Sequence, residues 1–104
     1  MKNKLIKHVL EQFDWEKTHK AMVALEWEWR GEGVPSISQL QSRAVELLNF
    51  ACTEAKTYRT TAPDYVGPFT VGTGGFEAHA WLTDDGKIEG VRLSFMVASW
   101  DGWR

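Results

Sequence analysis

Residues 76–95 read FEAHAWLTDDGKIEGVRLSF, and the rest of the fold can be built outward from this segment. Apolar and polar residues alternate on both sides of Asp85-Gly86, a pattern typical of two antiparallel strands joined by a tight turn. With Asp85 and Gly86 as the central turn residues, Asp84 faces Lys87. The alternate positions then pair apolar residues on one face, namely Ala80 with Val91, Ala78 with Leu93 and Phe76 with Phe95. A one-residue slip would turn this face to water, so the pattern specifies the register.

The opposite face of this hairpin is polar. It carries Glu77, His79 and Trp81 on the first strand and Arg92, Ser94 and Met96 on the second. An aromatic ring beside a cation offers the stacking surface and charge-assisted hydrogen bonds that a nucleobase with phosphates requires. The alternative is that Arg92 is solvated or pairs diagonally with Glu77, which would contribute little to stability.

The first half of the chain has helical periodicity instead. The spacing of apolar residues predicts helices over about 3–12, 14–26 and 37–58. The second helix could also stop near Leu25, because Glu26-Trp27-Glu28-Trp29 alternates with period 2. Asp14 is a good N-cap for the second helix, and Ser36 with Gln39 forms a capping box for the third. The sequence therefore predicts an α+β fold in a single domain, 1–104, with three N-terminal helices packed on a long antiparallel hairpin of about 69–83 and 88–100.

An isolated two-stranded hairpin is marginally stable in water, and its exposed edges favour pairing with another chain. Three helices can cover one face only. We therefore expect an oligomer in which the hairpins of two subunits meet. The alternative is a monomer with a third strand from residues 65–72. The glycine-rich segment 72–75 is expected to form a bulge or bend, although it could also let backbone N–H groups approach an anion or a ribose.

The amino-acid composition limits the cellular compartment and the kinds of partner that can be expected for this protein. The chain has 104 residues, of which 43% are hydrophobic and 25% charged, and its net charge of −2 argues against a strongly basic nucleic-acid binder. A single cysteine, Cys52, favours a reducing compartment. No apolar run has the length of a membrane span or a signal sequence. These features predict a cytoplasmic protein that binds neither DNA, RNA nor membranes.

The residue patterns of common catalytic sites are missing from the sequence. His8, His19 and His79 lack metal-ligand spacing, and there is no Gly-x-Ser-x-Gly elbow. Cys52 lies within an apolar helix, where a small buried hydrophobe is the usual interpretation. The segment 72–75 lacks the Lys-Ser/Thr of a phosphate-binding loop. We therefore expect no catalytic residues, no metal and no cofactor. The six tryptophans either fill a short core or face a partner or ligand.

Four short motifs, at residues 13–22, 24–29, 34–36 and 73–78, together with the apolar C-terminal strand, carry a family resemblance. Through them nearly the whole chain resembles the phage Thoeris anti-defence sponges of the first described type. The resemblance implies N-terminal helices, a long hairpin and assembly into dimers or higher oligomers. It also implies a protein that sequesters cyclic ADP-ribose isomers in the host cytoplasm without cleaving them. Some members also hold cyclic oligonucleotides at a second site.

The resemblance also suggests residues that clasp the ligand between two subunits. By match to the Gly-Gly-Phe motif, Phe76 is the aromatic carried over, while Arg92, Arg104 and Arg30 are candidates for the arginines. Together with the polar face, the candidate ligand-binding residues are Phe76, His79, Trp81, Arg92, Trp100, Arg104, Arg30, Trp15 and Met22. Two other functions stay open: a module of phage origin that binds a host protein through a tryptophan-rich face, and a small hydrolase.

Overall fold

The computed structural model describes residues 4–29, 31–73, 75–95 and 98–103. Within these residues, three helices precede four strands, namely α1 (Lys4–Gln12), α2 (Trp15–Ala24), α3 (Ile37–Arg59), β1 (Phe69–Thr73), β2 (Phe76–Leu82), β3 (Ile88–Phe95) and β4 (Ala98–Trp103). The strands form one antiparallel sheet in the order β1-β2-β3-β4. The predicted α+β class with three N-terminal helices is confirmed.

Two of the helices begin at the caps that the sequence predicted. The Lys17 backbone N–H donates to the Asp14 carboxylate at 2.9 Å, which caps α2. At the start of α3, the Gln39 N–H donates to the Ser36 hydroxyl at 3.2 Å, and the Ser36 N–H donates to the Gln39 side chain at 2.8 Å. This reciprocal pair is the predicted capping box, and it satisfies donors that have no partner within the helix.

The end of α2 differs from the prediction, because this helix stops at Ala24 and not at residue 26. The Trp27 N–H donates to the Met22 carbonyl at 2.9 Å and the Glu26 N–H to the Val23 carbonyl at 3.1 Å. These two bonds are those of a Schellman motif, whose turning residue adopts a left-handed conformation. Glu26 is that residue, with φ at 51°, and among the described residues it is the only non-glycine with positive φ.

We expect Glu26→Gly to raise the free energy of unfolding by about 1 kcal/mol, because glycine pays no steric penalty in the left-handed region. Urea denaturation would measure the change. Glu28→Gly is the matched control, since Glu28 is also exposed but its φ is not positive. Equal stability of the two variants would contradict the strain assigned to Glu26.

The predicted single hairpin is wrong in its extent, because each of its arms is divided into two strands. The segment 69–83 reverses direction beside Gly75, whose φ is +90°, so that β1 pairs antiparallel with β2. The segment 88–100 likewise becomes β3 and β4, which pair with each other. Glycine makes the first reversal easy, since it adopts positive φ without a steric penalty. The third strand weighed for 65–72 therefore exists as β1, and Gly75 lies at the bend between β1 and β2.

The register of the central pair is confirmed, although the turn differs from the prediction. Ala80 lies opposite Val91, Ala78 opposite Leu93 and Phe76 opposite Phe95. The turn, however, contains three residues, 84–86, because the Thr83 N–H donates to the Lys87 carbonyl at 2.7 Å. A bulge between this turn and the Trp81–Gly90 pair then shifts the register by one residue. The bulge keeps Leu93, and not Arg92, on the core face.

The helices cover one face of the sheet. α3 packs on β1, β2 and β3, whereas α1 packs on β3 and β4. The inward side chains of the strands join one core with the helices, and the largest fully buried residues of this core are Phe76, Ile6, Met22, Leu40 and Leu48. β2 and β3 are central in the described sheet, so its edges are β1 and β4 and not the arms of one hairpin. The expected contact between subunits stays a prediction.

Candidate functional site

The outward face of the sheet, opposite the helices, gathers the polar side chains of its first three strands. Two cross-strand pairs lie next to each other on this face, His79 with Arg92 and Glu77 with Ser94. Thr70 of β1 lies beside His79 on the other side. Because side chains alternate between the faces of a strand, these residues share one surface. We call this surface the polar sheet face; it comprises Thr70, Glu77, His79, Trp81, Arg92 and Ser94.

His79 is held in place from both sides of its ring. Its Nδ1 lies 2.9 Å from the Thr70 hydroxyl oxygen, and its Nε2 lies 3.6 Å from a Glu77 carboxylate oxygen. The His79 side chain is 19% exposed, whereas that of Glu77 is 63% exposed. Contacts at both nitrogens fix the orientation of the imidazole on the polar sheet face.

Trp81 lies next to His79 on the polar sheet face. The two rings are stacked, with centroids 6.1 Å apart and an angle of 25° between their planes. Gly67 approaches the indole so closely that a Cβ there would lie 3.0 Å from Trp81 Cδ1. Trp81 is half-buried and so leaves part of its surface to solvent. Such a ring is a platform on which a planar ligand can stack.

Arg92 supplies the cation of the polar sheet face. It lies opposite His79 in the register, and its side chain is exposed. The residue in register on β4 is Asp101. A guanidinium suits a phosphate oxygen, because it is planar and always charged and can donate two hydrogen bonds side by side.

A depression adjoins the polar sheet face at the end where β2 begins. Its volume is about 550 Å³, within the range of small-molecule sites, and it is lined by Gly72, Gly75, Phe76, Glu77, Ser94 and Phe95. Glu77 and Ser94 belong to both surfaces. The depression therefore continues directly from the polar sheet face.

The structure brings only some of the predicted site residues together. His79, Trp81 and Arg92 share the polar sheet face. Phe76, Trp15 and Met22 lie in the core with 1%, 8% and 0% of their surfaces exposed, although Phe76 also lines the depression. Phe76 packs against Phe95 at a centroid distance of 4.9 Å, so neither ring face is open for stacking in the monomer. As ligand contacts, these three residues remain predictions.

The structure does not describe the side chains of the remaining predicted residues, which are Arg30, Trp100 and Arg104. Arg30 and Arg104 lie outside the described residues. The backbone of Trp100 pairs with Leu93, and the prediction for its side chain lies outside the described part as well. Sequence reasoning missed Thr70 and gave no ligand role to Glu77 or Ser94. Strand alternation signalled Glu77 and Ser94, whereas Thr70 needed the unpredicted β1–β2 pairing.

The described part of the chain offers little that suggests nucleophilic or metal chemistry. Burial of Cys52, the largest effect, raises the pKa of its thiol, while nearby Lys56 acts in the opposite direction. A raised pKa leaves less of the nucleophilic thiolate. No group of three or more His, Cys, Asp or Glu residues that could hold a metal occurs among the described residues. Within the same residues, no helix combines the length and apolar character needed to span a membrane.

No family model matches this chain. No curated protein and no solved structure is significantly similar to it either. The polar sheet face and the depression are therefore the structural features that bear on function.

Proposed function

We propose that the protein is a phage anti-defence sponge, which binds a cyclic nucleotide immune signal in the host cytoplasm and sequesters it without cleavage. The observation that carries the proposal is the set of His79, Trp81 and Arg92 on one exposed sheet face. The Trp81 ring suits a base, and the Arg92 guanidinium next to His79 suits a phosphate. Cyclic ADP-ribose isomers are the signals suggested by the family resemblance.

Sequestration requires high affinity for the ligand and no catalytic chemistry. A sponge must hold its ligand tightly, whereas an enzyme must stabilise a transition state. The polar sheet face provides ring surface and charge, both of which act on the ground state of a ligand. A single open face buries only part of a small molecule, so a second copy of the chain over this face would raise affinity. We therefore propose a homo-oligomer, with a dimer as its basic unit.

The decisive experiment separates binding from turnover. Purified protein is incubated with each cyclic ADP-ribose isomer, freed of unbound ligand by gel filtration, and then heated to release what it retained. Mass spectrometry of the supernatant should show intact ligand in stoichiometric amount. A hydrolysed product would indicate an enzyme, and no retained ligand would contradict the sponge.

We expect Arg92→Ala to weaken binding of the cyclic ADP-ribose isomer by about 10- to 100-fold, because a charge-assisted hydrogen bond to phosphate is lost. Isothermal titration calorimetry would measure the change. Arg43→Ala is the matched control: Arg43 lies 5.3 Å from the centroid of the Trp29 ring on the helical side. Equal affinity of the two variants would remove Arg92 from the site.

A protein-interaction module is the second candidate, and one observation favours it. Tyr58 and Tyr65 are 50% and 42% exposed. Their rings contact Phe69 edge-to-face at centroid distances of 5.6 and 5.0 Å, and each other at 5.7 Å. Exposed tyrosines are typical of protein interfaces. The predicted tryptophan-rich face is less suitable, because Trp15 is buried and Trp27, Trp29 and Trp81 are half-buried. This candidate predicts capture of a host protein that Tyr58→Ser abolishes, with no nucleotide retained.

A further inference from the structure

From the depression and the polar sheet face together, we infer that the depression is a ribose subsite, in which Glu77 and Ser94 bind the hydroxyl groups of a phosphorylated riboside. The phosphates then lie over His79 and Arg92. This inference rests on the proposed function and adds the ligand class and its orientation on the sheet.

Two residues that line the depression are glycines packed closely against neighbouring atoms. A Cβ at Gly72 would lie 3.1 Å from the Phe76 carbonyl oxygen and 3.4 Å from Glu77 Cγ. A Cβ at Gly75 would lie 2.3 Å from Phe95 Cε1. Glycine at both positions therefore lets the backbone approach Phe76, Glu77 and Phe95, which form the wall of the depression.

The chemistry of the depression fits hydroxyl groups and disfavours phosphate. Glu77 offers a carboxylate, which accepts hydrogen bonds only and repels an anion. Ser94, its cross-strand partner, can donate or accept. Acidic side chains bind ribose hydroxyls in this way in dinucleotide-binding folds. The rings of Phe76 and Phe95 are 1% and 5% exposed, so the floor provides apolar ring edges and no open face for a base.

The spacing of the two pairs agrees with the dimensions of a nucleotide. Glu77 and His79 are two residues apart on one strand, and positions so related are about 7 Å apart on the same face. Ser94 and Arg92 are related in the same way on β3. Glu77 and Ser94 can accept hydrogen bonds from hydroxyl groups, whereas Arg92 in the neighbouring pair carries a positive charge. A ribose in the depression therefore leaves its phosphate beside Arg92 and His79. Trp81, one step further along β2, lies on the far side of the phosphates, where the adenine attached to the second ribose of a cyclic ADP-ribose isomer can stack.

The test compares two probes on two variants. The probes are the cyclic ADP-ribose isomer that the wild-type protein retains best and inorganic pyrophosphate, which has phosphates but no ribose. We expect Glu77→Gln to weaken binding of the isomer at least tenfold, while pyrophosphate binding stays unchanged or becomes tighter because a negative charge is lost. Arg92→Ala should weaken binding of both. Glu89→Gln is the matched control, since Glu89 is exposed on β3 near the opposite end of the strand.

The outcomes distinguish this inference from the proposed function. If Arg92→Ala weakens binding of the isomer but Glu77→Gln does not, the ribose subsite is wrong and the sponge stands. If Glu77→Gln weakens both probes equally, Glu77 acts on the fold or on His79, and the inference is again overturned. If the wild-type protein retains no isomer, the proposed function and the inference fail together.

Discussion

Phe76→Ala is expected to lower the free energy of unfolding by about 3–5 kcal/mol, because truncation of a buried phenylalanine leaves a cavity in the core. Phe76 is 1% exposed, and its ring contacts those of Phe13, Trp15 and Phe95 at centroid distances of 6.2, 6.3 and 4.9 Å. For a domain of this length, such a loss is a large part of the total stability. Thermal unfolding followed by circular dichroism would measure it.

Phe50→Ala is the matched control for this prediction, because Phe50 is 52% exposed and the same atoms are removed. We expect a change of less than about 1 kcal/mol there. The comparison also bears on the role of Phe76 as a ligand contact. If Phe76→Ala loses both stability and ligand, the loss of ligand reports the fold. A stable Phe76→Ala variant that binds no ligand would instead place the ring in the binding site and contradict the core role.

Gly75→Ala is expected to lower the free energy of unfolding by about 2–4 kcal/mol, for two separate reasons. Its φ of +90° disfavours any side chain, at a cost of about 1–2 kcal/mol. The added Cβ would also lie 2.3 Å from Phe95 Cε1 and 2.9 Å from Trp27 Cζ2, so both rings would have to move. Urea denaturation would measure the total effect.

Gly33→Ala separates the two contributions. Gly33 has nearly the same φ, +91°, but a Cβ there would meet nothing within 4 Å. Only the backbone penalty should therefore appear in this variant. If both substitutions cost the same free energy, the close packing of Phe95 and Trp27 against Gly75 is not rigid, and the steric part of the prediction is wrong.

The helical half of the fold could be predicted closely because its signals are local. The caps at Asp14 and Ser36 and the apolar spacing act within a few residues, so the starts of α2 and α3 follow from short stretches of sequence. The end of α2 could not be predicted, because glutamate is an unusual residue for the left-handed position of a Schellman motif. There the hydrogen bonds of the motif outweigh the steric preference of Glu26.

The sheet was predicted in register but not in extent. Apolar alternation is sufficient to pair Ala78 with Leu93, because any other register exposes that face. Alternation does not show where a long extended segment folds back on itself. The positions at which the chain reverses after β1 and after β3 depend on how the strands pair with each other and pack against α3 and α1. This arrangement is a property of the whole fold.

For the candidate site, the sequence alone was enough to place His79 opposite Arg92 and to put Trp81 on the same face, since both follow from the period of a strand. It was not enough to show that Thr70 and Glu77 hold the imidazole, or that Gly72 and Gly75 line a depression beside it. Those features join residues from β1 and from the β1–β2 bend to the central hairpin. They depend on the order in which the strands pair. No local sequence pattern determines that order, so only the tertiary structure reveals these features.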